Sequence, residues 1–203
     1  MAAEVKYGPT LSSVGPSGLL SLYAVTPMIL IGTGFWSITH GVKVGRARTK
    51  AIEAAKADGE SEVEERYGLP NLYAQGTSKH ARVFNAIQRS HQHIFETFAT
   101  VAVSALTGAI SFPVSTALST LTYAIGRVAF SNAYANSDGD ASKRYSSRLS
   151  VCLWYGTMLN VVLGVGSCVY VIAFDRVAKS YLSYDKMMDR ARTSFKETSN
   201  KYM

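Results

Sequence analysis

Charge is scarce in this 203-residue chain, and in three stretches it is missing altogether. Charged side chains are 17% of the residues, below the quarter usual for a soluble domain. No charged residue occurs from Gly18 to Thr39, from Thr97 to Gly126, or from Leu149 to Phe174. Each run reaches the roughly 20 residues that a helix needs to cross about 30 Å of hydrocarbon. None carries the polar stripe at period 3.6 that a water-facing helix shows, which argues against a soluble bundle. Cysteine is almost absent too. Cys152 and Cys168 are the only two, sixteen apart in one apolar segment. On one helix they stand several turns apart, so no disulfide joins them there, and no metal-ligand spacing exists. The opening MAAEVKYGPT lacks a basic n-region and a cleavage site, so neither a secretory signal nor an Arg-rich transit peptide is expected.

The net charge is +7. The bases gather at segment ends, as in Lys43, Arg46, Arg48 and Lys50, and in the tail beyond Asp175. That distribution fits anionic headgroups, or an anionic ligand near the membrane surface, better than nucleic acid. The expected fold is all-α: a four-helix transmembrane bundle with spans near 18–44, 81–110, 113–136 and 146–174. Around it stand a Gly/Pro/Ser-rich lead-in over 1–17, an enlarged polar loop over 45–80 and a basic tail over 175–203. Within the loop, 51–68 is expected to be helical with an interruption at Gly59, followed by a turn-rich connector. Pro113 suits the first turn of the third helix, and NSDGDAS over 136–142 reads as a loop. In the tail, Val177, Tyr181, Tyr184, Met188, Ala191 and Phe195 recur at spacings of four and three. This predicts an amphipathic helix over 176–198, lying on a membrane surface or against a partner. Four spans place loops one and three on one side and both termini on the other.

The second span opens HARVFNAIQRSHQHIFETF. Asn85, Arg89, Gln92, His93 and Glu96 share one helix face. Ionisable groups inside a membrane segment usually face a bundle interior or a polar cavity. Two readings stand: the residues pair among themselves near the headgroups, or they line a pocket in which Arg89 takes a carboxylate and Glu96 an ammonium. His91 and His93 diverge on a helix and have no further partner, so no metal site is expected. On the third span, GRVAFSNAYANS carries Arg127, with Phe130 and Tyr134 on one face. Tyr134 fits either the interfacial belt or the same pocket.

FNAIQRSHQHIFETF resembles the second-helix signature of the MAPEG superfamily, and is most similar to the type 3 microsomal glutathione transferases. YGLPNLYA resembles that group's segment before helix two, GRVAFSNAY its helix-three motif, and VGRARTK the basic end of its helix one. The resemblance covers roughly residues 30–174. It implies a multi-pass protein of an intracellular membrane, endoplasmic reticulum or mitochondrial, that forms a homotrimer. It implies glutathione as co-substrate, bound between neighbouring subunits. Carried over, Arg89, Gln92, His93 and Glu96 are glutathione positions, joined by Arg46 or Arg48. Tyr134 matches the second helix-three tyrosine, and the thiolate-stabilising arginine falls near Lys143 or Arg144. The implied activity is conjugation of the glutathione thiolate to hydrophobic electrophiles, or reduction of lipid hydroperoxides. Departures point elsewhere: His93 replaces the motif's asparagine, Phe130 replaces a tyrosine, loop one is enlarged, and the tail lies beyond the core. These suit a non-catalytic accessory subunit of a larger membrane complex. An unrelated four-helix carrier or scaffold is the third alternative.

Overall fold

A computed structural model describes the backbone of residues 19–202 and the side chains of 22–193; the lead-in over 1–17 lies outside these. Four long helices dominate: α1 (Leu19–Ala57), α3 (Lys79–Ser111), α4 (Pro113–Ala135) and α5 (Cys152–Tyr202). A short α2 (Val63–Tyr67) lies between α1 and α3, and two 3-10 turns, Ala141–Tyr145 and Arg148–Val151, lead into α5. No strand occurs among the described residues.

Three of these helices, α1, α3 and α5, are long and apolar enough to cross a membrane. The third predicted span forms as α4, with Pro113 at its first turn, but α4 is not among the three. Its Ser and Thr residues dilute its apolar content. The bundle is polar inside and apolar outside. Phe35, Ile38, Val103, Leu118 and Val162 are exposed on the outer faces, whereas Thr26, His40, Thr120, Arg127 and Asn160 are buried. In lipid that arrangement is favourable, because apolar side chains gain nothing by turning inward and polar ones find partners there. Thr120 Oγ1 donates to Asn160 Oδ1 at 3.0 Å, and Asn160 Nδ2 to the Gly156 carbonyl at 2.8 Å.

Small residues set the helix separations. A Cβ added at Gly126 of α4 would lie 1.9 Å from the backbone nitrogen of Leu153, and one at Gly156 of α5 2.3 Å from that of Tyr123. The α4–α5 crossing is thus backbone against backbone. Gly108 of α3 and Gly164 of α5 meet similarly: a Cβ on Gly108 would come 3.2 Å from the Gly164 nitrogen.

Helix one was expected to end near Val44, but α1 continues to Ala57. The segment AIEAAKA is built of strong helix formers, and its charges are carried on the outer face. The interruption falls at Gly59, whose φ of 73° is left-handed, so the helical reading of 51–68 is met by the end of α1 together with α2. Val44, Ala55, Val63, Tyr67, Ala81 and Phe84 form a small apolar core beneath this loop. Arg48 Nη1 donates to the Tyr67 carbonyl at 2.5 Å and its Nη2 to the Leu72 carbonyl at 3.1 Å, while its guanidinium lies 4.5 Å above the Phe84 ring. Arg66 pairs with Glu60 at 3.0 Å and donates to the Gln75 carbonyl at 3.1 Å. The enlarged loop is a packed unit clasped by two arginines.

Two expectations at the other end need correction. The fourth helix starts at Cys152, not near 146, because Ala141–Tyr145 and Arg148–Val151 wind as 3-10 turns. Nor does it stop at Phe174 before a separate surface helix over 176–198: α5 runs unbroken from Cys152 to Tyr202. From Ser167 to Met203 the sequence holds neither Gly nor Pro, so nothing stops the helix where the charge begins.

Candidate functional site

The first half of α3 carries the polar residues. Arg82, Asn85 and Arg89 recur at three and four and share a stripe. Asn85 fastens the preceding connector onto this stripe: the Ala74 N–H donates to Asn85 Oδ1 at 2.7 Å, and Asn85 Nδ2 donates to the Ala74 carbonyl at 2.9 Å. One residue earlier, the Tyr73 hydroxyl donates to Gln92 Oε1. Loop three closes from the other side. Gly139 has φ of 82°, and a Cβ there would lie 2.8 Å from Arg82 Cβ, so only glycine lets the loop approach so closely.

Between these walls lies a cavity of about 340 Å³, lined by Tyr73, Arg82, Asn85, Ala86, Arg89, Tyr134, Gly139 and Ala141. Loop one contributes Tyr73, and loop three contributes Gly139 and Ala141. At its edge Arg89 grips Glu96 through two hydrogen bonds of 2.5 and 3.1 Å. Their side chains are 38% and 42% exposed, so solvent screens the pair and leaves it open to exchange partners. Arg82 is exposed on the same rim.

A second polar cluster lies deeper and faces inward. Arg127 of α4 is fully buried. Its Nη1 donates to His93 Nδ1 at 2.7 Å and to the His93 carbonyl at 3.2 Å, and its Nη2 to Ser131 Oγ at 3.1 Å. A guanidinium only donates, so Nδ1 of His93 must accept and the ring proton sits on Nε2. The imidazole packs 4.8 Å from the Phe130 ring and 5.9 Å from Trp154, and the Arg127 guanidinium stands 4.9 Å over Phe130. Trp154 Nε1 donates to the Tyr145 hydroxyl at 2.9 Å. His93 and Phe130, the two positions that depart from the resemblance, are therefore bound to one buried arginine.

The sequence-predicted residues separate accordingly. Arg89 and Tyr134 line the cavity, while Gln92 and Glu96 stand behind it, bonded to Tyr73 and Arg89. His93 is turned to Arg127. Arg46 is exposed on α1, and Arg48 is committed to the loop. Arg144 is exposed on the first 3-10 turn, 5.4 Å over the Tyr145 ring, and does not line the cavity. Sequence reasoning placed Asn85 on the pocket face but passed over Arg82 and Tyr73 as cavity residues. Arg82 was legible, being seven residues before Arg89 and hence on its face. Tyr73 becomes a wall residue only through the Asn85 strap, which spans eleven residues.

No group of His, Cys, Asp and Glu able to hold a metal occurs among the described residues. A separate apolar groove of about 660 Å³ runs between α1 and α4, past Ile29, Trp36, Leu121 and Ile125. In comparison with known proteins, residues 25–180 match the family model described as the MAPEG family. No curated protein matches the chain.

Proposed function

Because the chain belongs to the MAPEG family, membrane-associated proteins of the glutathione-transferase and eicosanoid type, we propose that it is a membrane-bound glutathione transferase or peroxidase. The observation that carries this reading is the cavity in which Arg82, Arg89, Asn85 and Tyr134 converge. Its volume is in the range of small-molecule sites, about 300–1,000 Å³. Glutathione presents two carboxylates, an ammonium and two peptide groups. Arg82 and Arg89 offer forked donors to the carboxylates, and Glu96 offers its carboxylate to the ammonium once Arg89 turns to the ligand.

In this reading the bound thiol loses its proton, and the sulfur is held as thiolate by the Tyr134 hydroxyl and the Arg144 cation, three residues beyond the wall residue Ala141. The thiolate attacks an electrophilic carbon, the C–S bond forms, and the leaving group departs with the bonding electrons. With a lipid hydroperoxide it attacks the terminal oxygen. The O–O bond breaks to give the alcohol, and a second glutathione converts the sulfenic acid to disulfide and water. The proposal includes α4 as a fourth span, a homotrimer with glutathione at the subunit boundaries, and an endoplasmic reticulum or mitochondrial membrane.

A second reading, a non-catalytic accessory subunit of a larger membrane complex, is favoured by one observation: His93 and Phe130 serve Arg127 rather than the cavity. Calorimetric titration of the purified full-length protein with glutathione separates the two. Binding is expected, with Arg89→Ala weakening it by about 1.5–3 kcal/mol, the worth of hydrogen bonds to a charged group, or roughly ten- to a hundredfold. No binding at millimolar glutathione would remove the enzyme reading and leave the accessory one.

A further inference from the structure

Beyond the bundle, α5 continues as a single helix, and from Asp175 to Thr193 every side chain but Ala178 is exposed. The apolar run ends at Phe174, and the helix then carries on from Asp175 to Tyr202, about 42 Å at 1.5 Å per residue. Its large apolar side chains stand in solvent: Val177 is 53% exposed, Tyr181 73% and Tyr184 57%.

We propose that this extension pairs, parallel and in register, with the same helix of a neighbouring copy of the chain, forming a coiled coil outside the membrane on the face opposite the cavity. The spacing carries the proposal. Phe174, Tyr181 and Met188 alternate with Val177, Tyr184 and Ala191 at intervals of three and four without exception, and in sequence the series continues to Phe195. That is a seam of period 3.5, the a and d positions of a heptad, sustained over three heptads. A helix resting on a bilayer carries a broader apolar face at period 3.6, and must first bend away from the span it continues. No Gly or Pro is available to make that bend.

The charges agree with a like partner. Asp175, Arg176, Lys179, Lys186, Asp189 and Arg190 all fall at b, c or f, facing away from the seam, and Lys179 Nζ already holds Asp175 at 2.6 Å. At the flanking e and g positions, Asp185 faces Ser180 of the neighbour and Arg192 faces Met187, so no like charges oppose each other. The membrane fixes the register. In every copy the seam starts where α5 leaves the hydrocarbon, so a layers meet a layers without further specification. A foreign helix would need the same exit point and the same phase.

The test uses full-length protein, with Cys152 and Cys168 replaced by Ala, reconstituted alone into phosphatidylcholine vesicles. A thiol is placed at a d position by Ala191→Cys or at the neighbouring c position by Arg190→Cys. Under mild oxidation the d-position thiol should cross-link at least about tenfold faster, because the seam holds two such thiols at high effective concentration. Tyr184→Asp should abolish that advantage while helix content by circular dichroism is kept. Equal rates at the two positions would overturn the proposal, as would no cross-link at 191. A spin label at 191 then identifies the occupant instead. Oxygen access in phosphatidylserine-containing vesicles means the bilayer, and access to an aqueous nickel complex means that the face stands free in water.

Discussion

Replacing Gly126 with alanine adds one methyl group at the tightest point of the bundle. The new Cβ would sit 1.9 Å from the Leu153 nitrogen, 2.4 Å from the Cys152 carbonyl carbon and 2.6 Å from Leu153 Cα. All three are backbone atoms, so no side chain can swing away. Ordinary contact needs about 3.5–4 Å, and α4 and α5 must therefore part by roughly 1.5 Å. A gap of even 0.5–1 Å forfeits about a quarter to a half of the dispersion well along the interface. Overpacking of this kind costs about 1–3 kcal/mol, and here the upper end applies. Against it, alanine gains about 1 kcal/mol of helix propensity over glycine. The expected net loss is about 2 kcal/mol, a fall of roughly 4–8 °C in Tm for a chain of this size. Gly45→Ala is the control, since a Cβ there meets nothing within 4 Å, and it should be neutral or gain up to about 1 kcal/mol. Thermal unfolding of both variants in the same detergent decides the matter. If Gly126→Ala is as stable as Gly45→Ala, the backbone-to-backbone crossing is wrong, and with it the placement of Arg127 on the next residue.

Asn85→Ala removes both hydrogen bonds to Ala74; it should lower stability by about 1–3 kcal/mol and make residues 69–78 cleavable by protease at concentrations that leave the parent intact. His93→Asn should cost about 1–2 kcal/mol by losing ring packing on Phe130 and Trp154. It should change glutathione affinity by less than about threefold, because the ring is not in the cavity wall; a larger change in calorimetric affinity would put His93 against the ligand. The Tyr67 phenol, buried under loop one and bonded to Ser78 at 2.8 Å, has its pKa raised above the ordinary value, chiefly by burial. The folded state then holds this proton more tightly than the unfolded state. The stability it contributes is complete below pH about 10 and is lost as pH rises through the folded pKa. Tyr67→Phe should flatten that alkaline part of a denaturation series, and an unchanged slope would mean that the hydroxyl is solvated.

The three apolar spans were legible because crossing lipid demands long uncharged runs. The polar stripe of α3 was legible for a similar reason, since a charge in such a run must face something. What it faces was not legible. Arg89 and Tyr134 come together only through the α3–α4 packing, and His93 is claimed by an arginine thirty-four residues away. The resemblance offered Arg46 or Arg48 as a ligand contact; that Arg48 holds the carbonyls of Tyr67 and Leu72 is a role that needs the loop's own fold to be seen. The end of α5 was misplaced because a change from apolar to charged composition was read as a change of element. Composition sets what surrounds a helix, whereas only backbone chemistry stops one.

The buried arginine of α4 bears on how the chain enters a membrane. An arginine at the centre of an isolated span costs about 2.5–3.5 kcal/mol at insertion, and Arg127 lies well inside α4, whose buried face also carries Thr116, Ser119, Thr120 and Ser131. Alone among the long helices, α4 is not among those long and apolar enough by composition to cross a membrane. Its polar partners are supplied by others: His93 by α3 and Asn160 by α5. Phe112 is the only residue between α3 and α4. On the proposal that α4 is a fourth span, the two enter as a hairpin, with the Arg127 charge delivered already bonded to His93. On the same proposal, the polar face of α4 is fully partnered only once α5 has been made and Asn160 reaches Thr120. If α4 is a fourth span, as proposed, a nascent chain halted within loop three would hold α4 at the insertion machinery until the 51 residues of α5 follow.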